Sequence, residues 1–269
     1  MSENSDSIEA SFIISSRAEN PLYLEEAIIS MLNQTADDIE IVLVLDGADA
    51  GQRAFATLAK FSDSRLRCLY SKRRRGLARS LNIAARVSRG HFLARMDDDD
   101  RSLPARIEKQ ISFMRRERVH IAGSYAYLIN AQGERDEGVI VKANPSALDN
   151  PIGAVFKSIL LHPTVMFRRD WILKNKYNKH WGRGQDRELW VRVSSSARFG
   201  CIAEPLLEYR RCAAVKGAQL SNVVSAFKLI WVHRSRFGAA FPILLALNSL
   251  RWVFYRARIC LGHEGAPGN

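Results

Sequence analysis

The chain is expected to fold as an α/β protein: a mixed, mainly parallel sheet flanked by helices, with a helical extension at its C-terminus. Two features of the sequence lead there. Short β-branched, apolar runs alternate with helix-period stretches through the first hundred residues, the pattern of a parallel sheet built by right-handed crossovers. The strand-like runs are also apolar on both faces, as strands covered by helices on both sides are.

Ser11–Ser15 reads as the first buried strand. Leu24, Ala27, Ile28 and Met31 then fall on one helical face. Ile39–Leu45 is a second continuous apolar strand, closed by an Asp46-Gly47 turn. Ala54–Lys60 reads as a helix and Leu66–Tyr70 as a third strand. Lys72–Arg75 meets Gly76, and Leu77–Ser88 is helical by its spacing of Leu77, Leu81, Ala84 and Ala85. Gly90 breaks that helix, and Phe92–Met96 is the strand that runs into four consecutive carboxylates, Asp97–Asp100. Ser102 and Pro104 signal a helix start. Farther on, Ile107, Ile111 and Met114 mark a helix, Ile121–Ile129 a strand, and Gly138–Lys142 its hairpin partner. Pro145–Leu161 reads as a helix, Val165–Phe167 as a short strand, Asp186–Val193 as a helix and Ile202–Tyr209 as a last strand.

Three regions are expected: a polar, disordered tail over 1–10, an α/β domain over 11–221 and a basic, aromatic extension over 222–269. The tail is acidic and lacks the basic start and apolar core of a secretory signal. The cysteines at 68, 201, 212 and 260 form no CxxC pair, so they read as idle thiols in a reducing cytoplasm rather than as a zinc site or disulfide framework. The net charge of +12 calls for an anionic partner, which charge alone does not identify. A nucleic-acid binder is one class it admits, but the chain carries no helix-turn-helix, zinc or RNA-recognition signature.

The acid run admits two readings. One is a solvated loop with helix-capping acids. The other is a metal site, because adjacent carboxylates repel one another unless a cation neutralises them, and Mg²⁺ or Mn²⁺ takes oxygen ligands together with substrate phosphates. Its place directly after an apolar strand favours the second, since ligands of open α/β sheets bind beyond the carboxyl ends of strands. For the C-terminal extension, arginines interleaved with Trp231, Phe237, Phe241, Trp252, Phe254 and Tyr255 suit the surface of an anionic membrane. The other reading is helices packed on the domain with their basic face in water. Phe237–Leu250, interrupted by Pro242 and Asn248, is shorter than the run of about 20 residues that spans a bilayer.

Six segments together resemble a family 2 glycosyltransferase of GT-A fold: Tyr23–Thr35, Ile39–Ala48, Gly76–Asp100, Leu103–Met114, His162–Arg169 and Gln185–Arg192. The resemblance covers about residues 10–221. It implies an inverting, metal-dependent transfer from a nucleotide-diphosphate sugar, a UDP-sugar foremost, to a polysaccharide or lipid-linked glycan hydroxyl. Envelope polysaccharide synthesis on the inner face of the cell membrane is the implied setting, with no nucleic-acid partner. Asp97 and Asp99 match the family's DXD motif, with Asp97 at the donor's ribose or the metal and Asp99 on the Mn²⁺ or Mg²⁺ that bridges the diphosphate. Asp98 is counted with the donor residues. Asp46 matches the acid that reads the base, Arg75 lies where the base or phosphates are contacted, and Asp186 matches the general base.

His162 and Gln185 are candidates for the acceptor side; the plainer reading of His162 is a helix-end or core histidine. For Asp186 the plainer reading is an N-cap, for Asp46-Gly47 an ordinary turn, and for Lys72–Arg75 a solvated run. The sequence departs from the family where Ser16, Arg17, Ala18 and Glu19 replace Pro-x-Tyr-Asn, so the base platform is altered. Arg75 replaces a common Asn, and no His follows Tyr209-Arg210. A degenerate homologue that only binds nucleotide sugar is thereby an alternative, against which Asp97, Asp99 and Asp186 stand intact.

Overall fold

The computed structural model describes residues 8–211 and 218–260. Most of the expected tail, and Cys212, lie outside the described residues. The first half is built from β1 (Ala10–Ser16), β2 (Ile39–Asp46), β3 (Leu66–Ser71) and β4 (Phe92–Met96), joined by α1 (Pro21–Leu32), α2 (Ala48–Leu58) and α3 (Leu77–Val87). These four strands run parallel in the order β3-β2-β1-β4. Every residue of β2 is buried, as its unbroken apolar run requires. Ser16 pairs in register with Leu45, and Ile14 with Met96, so the carboxyl ends of β1, β2 and β4 lie side by side. The chain order reverses between β1 and β4, a switch point that opens a crevice at those ends. Gly90 makes the approach to β4 feasible: a Cβ there would lie 2.6 Å from the backbone of Ala10 and Ser11.

The second half comprises β5 (Arg101–Ser102), α4 (Arg106–Arg116), β6 (Ile121–Ile129), β7 (Arg135–Val141), α5 (Pro151–Phe156), β8 (Met166–Arg168), α6 (Arg169–Lys174), α7 (Gln185–Val193) and β9 (Phe199–Arg210). They extend the sheet past β4 as β8-β6-β9-β5, with β7 hairpinned on β6. The β4–β8, β8–β6 and β9–β5 pairs are antiparallel, so the sheet is mixed as expected. Phe12, Ile14, Ile41 and Leu43 face α1 and α4 on one side. Ile13, Val42 and Leu93 join α3, Trp171 and Trp190 on the other.

Several elements differ from expectation for identifiable reasons. The second helix starts at Ala48, because Gly47 at φ +114° turns the chain straight out of β2 and Asp49 enters the first turn, where the helix dipole favours an acid. Ser102 is not a helix start but a residue of β5 paired with Leu207, and α4 begins only at Arg106 without a side-chain cap. The helix expected over Pro145–Leu161 is broken: Asn150, extended before Pro151, accepts from the Gly153 N–H and caps a separate α5, as the residue before proline resists the α region.

The C-terminal extension forms α8 (Ala218–Val232), α9 (Arg234–Phe237) and α10 (Phe241–Cys260). Neither Pro242 nor Asn248 interrupts α10. Pro242 is its second residue, where a missing N–H costs nothing, and buried Asn248 donates to the Val223 carbonyl at 3.0 Å. As a result Arg234–Arg256 is long and apolar enough to cross a membrane by length and composition. One face packs on the domain through Phe237, Leu244, Leu229, Val155 and Trp181. Another leaves Ile243, Leu247, Leu250, Val253 and Phe254 exposed.

Candidate active site

The carboxyl ends of the parallel strands gather most of the acids singled out in the sequence. Asp97, Asp99 and Asp100 each present a carboxylate oxygen within 4.8 Å of the others. Asp97 is paired with Arg95, whose side chain is buried. Asp98 is outside this trio and accepts a hydrogen bond from the Ser16 hydroxyl at the end of β1. Burial pushes the Asp98 carboxyl up to about 6, with repulsion from Asp97 and Asp99 adding to the rise and the Ser16 bond opposing it. Burial, then the charges of Asp97 and Asp99, raise Asp100 well above the usual carboxylate range.

Asp100 accepts from the Arg210 backbone N–H at 2.8 Å, while its other oxygen is buried without a hydrogen-bond partner among the described residues. Three mutually repelling carboxylates, one with an unmet oxygen, are the donor set a hard divalent cation takes. Mn²⁺ or Mg²⁺ therefore fits these residues.

Beside this cluster, Asp46 at the end of β2 accepts from the backbone N–H groups of Arg75 and Gly76 at 2.6 and 2.8 Å. That contact fixes the loop bearing Lys72–Arg75 at the rim. The Arg75 guanidinium donates to the Ser71 hydroxyl at 2.8 Å. Ser16 also accepts from the Ala18 N–H at 2.8 Å, and Ala18 is held at φ +48°, a left-handed conformation that non-glycine residues adopt rarely and often at functional sites. Arg17 and Glu19 are exposed and pair with each other at 2.9 Å.

On the other side of Arg95, His162 shares a 2.8 Å hydrogen bond with the Tyr177 hydroxyl and meets Trp190 edge-on. Desolvation, then the charge of Arg95, hold His162 well below the ordinary histidine range. Tyr177 is held well above its ordinary range by burial, with the charges of Asp186 and Asp97 both acting on it.

Asp186 is the second residue of α7, whose cap is Gly184 in the left-handed region. The capping alternative for Asp186 therefore falls. Its carboxylate lines a cavity of about 320 Å³ together with Arg183, Arg187 and Arg251. Gln185 is buried, and neither it nor His162 lines that cavity.

Residues 11–183 match the family described as Glycosyl transferase family 2. The chain belongs to that family. Over 195 residues it is 33% identical to the O-antigen biosynthesis glycosyltransferase WbnJ of Escherichia coli, covering 70% of this chain and 74% of that one. It is 31% identical to the amylovoran biosynthesis glycosyltransferase AmsE of Erwinia amylovora, covering 66% of each. Two solved structures share the fold. S. aureus TarS 1-349 in complex with UDP-GlcNAc aligns with a TM-score of 0.62 at 14% identity, over 82% of this chain and 66% of that chain. The mannosyltransferase PcManGT from Pyrobaculum calidifontis in complex with GDP-Man and Mn²⁺ aligns with a TM-score of 0.59 at 15% identity, over 96% and 76%. The expected GT-A architecture is thereby confirmed.

Four residues of this glycosyltransferase's site escaped the sequence reading. Asp100 was legible in the acid run but given no role. Arg95 sits in a buried strand and reads there as an anomaly. Tyr177 lies in a polar loop. Arg210 is joined to the acids only by the fold: its guanidinium donates to the Asp99 carbonyl at 2.7 Å and to the Asn130 and Ala131 carbonyls at 3.1 and 3.0 Å. It also pairs with Glu26 and lies 4.1 Å from the centre of the Tyr23 ring.

Proposed function

We propose that this glycosyltransferase moves a sugar from a nucleotide-diphosphate donor, a UDP-sugar foremost, to a hydroxyl of an envelope polysaccharide or lipid-linked glycan, with inversion at the anomeric carbon. The single observation that carries this is the carboxylate cluster of Asp97, Asp99 and Asp100 at the carboxyl ends of the parallel strands. Asp97 and Asp99 would hold Mn²⁺ or Mg²⁺, with Asp100 as a third oxygen donor. A bound ion would act as a Lewis acid that offsets charge on the departing diphosphate.

The remaining steps belong to the chain's own side chains. Ser16, Arg17, Glu19 and Asp98 form the donor's edge at the end of β1. Asp46 keeps the Lys72–Arg75 loop folded against the nucleotide, so that its cations face the phosphates. Asp186 makes no hydrogen bond or ion pair with another described residue, which leaves its carboxylate available as a general base. It takes the acceptor hydroxyl's proton as that oxygen bonds to the anomeric carbon and the bond to the diphosphate oxygen breaks on the opposite face. His162 and Gln185 support the acceptor side from behind Tyr177 and Asp186.

The exposed apolar face of α10 and its arginines would seat the enzyme on the inner face of an anionic membrane. A thermal-shift screen of nucleotide sugars tests the donor assignment, because a ligand that binds only the folded state stabilises it. A UDP-sugar is expected to raise the melting temperature with Mn²⁺ and not with chelator; no metal-dependent rise for any nucleotide sugar would overturn it.

A further inference from the structure

The cavity beside Asp186 is strongly cationic for its size. Arg183, Arg187 and Arg251 line it, and Asp186 is its one lining acid among the described residues. Among the described residues, none of the three guanidiniums has a carboxylate within ion-pair distance. Arg183 donates to the Asn222 side chain at 2.8 Å, Arg187 to the Val155 carbonyl, and the Arg251 guanidinium lies 4.9 Å from the centre of the Phe156 ring. Each has five N–H donors in a planar fork, so most of their hydrogen-bonding capacity is left over.

Burial and the nearby charge of Arg251 both work against the Arg187 cation, and only Asp186 favours it. Like charges gathered in a partly desolvated hollow call for an anion, and the guanidinium fork matches phosphate. The surroundings of the cavity narrow the choice. Arg251 belongs to α10, and its neighbours Leu247, Leu250, Val253 and Phe254 are exposed apolar side chains. A hollow for anionic oxygens thus opens beside an unburied apolar strip.

We propose that this cavity is the acceptor's anion site, and that it takes the phosphate or diphosphate of an acceptor carried on an apolar chain. Arg183, Arg187 and Arg251 bind the phosphate oxygens while the chain lies along α10. The bound phosphate sets the acceptor hydroxyl at Asp186, and that last step rests on the reading of Asp186 as the base.

The test uses the full-length protein, chelator in place of metal, and geranyl diphosphate as probe. Trp181 lines the cavity, so its fluorescence reports occupancy; Trp181→Phe identifies its share of the signal. Geranyl diphosphate is expected to change that fluorescence saturably, and geraniol is not. Arg183→Gln with Arg251→Gln should weaken binding at least about tenfold, while Arg251→Lys recovers part of it. Mn²⁺-dependent UDP binding should be unchanged in all of these variants, which shows that they are folded. Inorganic pyrophosphate that competes supports the phosphate site, and a weaker affinity than geranyl diphosphate supports the apolar contribution. Equal binding by the glutamine variants, or binding of geraniol as tight as that of its diphosphate, overturns the proposal. Failure of the donor reading would appear separately, as loss of Mn²⁺-dependent UDP binding with the geranyl diphosphate signal intact.

Discussion

The backbone N–H of Arg210 donates to the carboxylate of Asp100 at 2.8 Å across 110 residues of sequence. The same arginine's guanidinium holds the Asp99 carbonyl and the turn between β6 and β7. The acid loop is therefore shaped by the last strand of the sheet as much as by the strand that precedes it.

Arg210→Ala should then act on both stability and binding. It removes the buried guanidinium that ties the Asp99, Asn130 and Ala131 carbonyls together and pairs with Glu26. A loss of about 2–3 kcal/mol is expected, the scale of hydrogen bonds to a charged group. Urea unfolding measures that loss, and Mn²⁺-dependent UDP affinity should fall with it because the loop loses its support.

Asp186→Asn should keep donor binding and lose transfer. General-base catalysis contributes about 10²–10⁴-fold, so turnover should drop on that scale while Mn²⁺-dependent UDP affinity stays at the wild-type value. A variant with normal turnover would show that another group takes the proton.

His162 makes stability depend on pH. Its pKa is depressed in the fold by desolvation and by Arg95, whereas the unfolded chain titrates near the usual value of about 6.5. Below that value the unfolded state binds a proton that the folded state does not, so stability falls as pH falls. Between pH 7.5 and 5.5 the wild type should lose about 1.4 kcal/mol more than His162→Gln, the linkage for one such group. Urea midpoints at the two pH values read the difference.

At the other end of the sheet, buried Glu40 accepts from Ser11 at 2.8 Å, from the Arg89 N–H at 2.6 Å and from Arg67 at 2.7 Å. It lies roughly 20 Å along β2 from Asp46, at about 3.3 Å per residue. Glu40→Ala should cost about 2 kcal/mol of stability and leave the affinity for UDP unchanged, a separation that calorimetry and denaturation read on the same sample.

Leu250→Glu with Phe254→Glu should weaken sedimentation with anionic vesicles and leave donor binding as it was. Both side chains are exposed and, four residues apart on α10, share one face. Unchanged sedimentation would assign that face to a protein contact instead.

The parallel half of the sheet was legible because each of its signals is local. The apolar runs of β1, β2 and β4 and the helical spacing of α1 and α3 need no knowledge of distant residues. The acid run could be picked out because it follows a strand directly, while the roles of Asp97 and Asp99 within it came from the family resemblance. The break at Asn150-Pro151 was also present in the sequence, as an Asn-Pro turn signal, but the surrounding apolar residues read more strongly as one helix. Pro242 and Asn248 gave the opposite error: one sits where a helix tolerates proline, and the amide of the other donates to a carbonyl on α8. Tyr177, Arg95 and Arg210 became site residues only through long-range packing. Arg183, Arg187 and Arg251 meet in one cavity only because the C-terminal helices fold back over α5 and α7.

The central claim is that the acid cluster binds a divalent ion together with a nucleotide diphosphate. The most direct measurement is titration calorimetry of UDP into wild type and Asp99→Ala, with Mn²⁺ and with chelator. The wild type is expected to bind at least about tenfold more tightly with Mn²⁺, a difference of about 1.4 kcal/mol, and Asp99→Ala to show no metal effect. An Asp99→Ala protein whose Mn²⁺ dependence equals that of the wild type would contradict the claim.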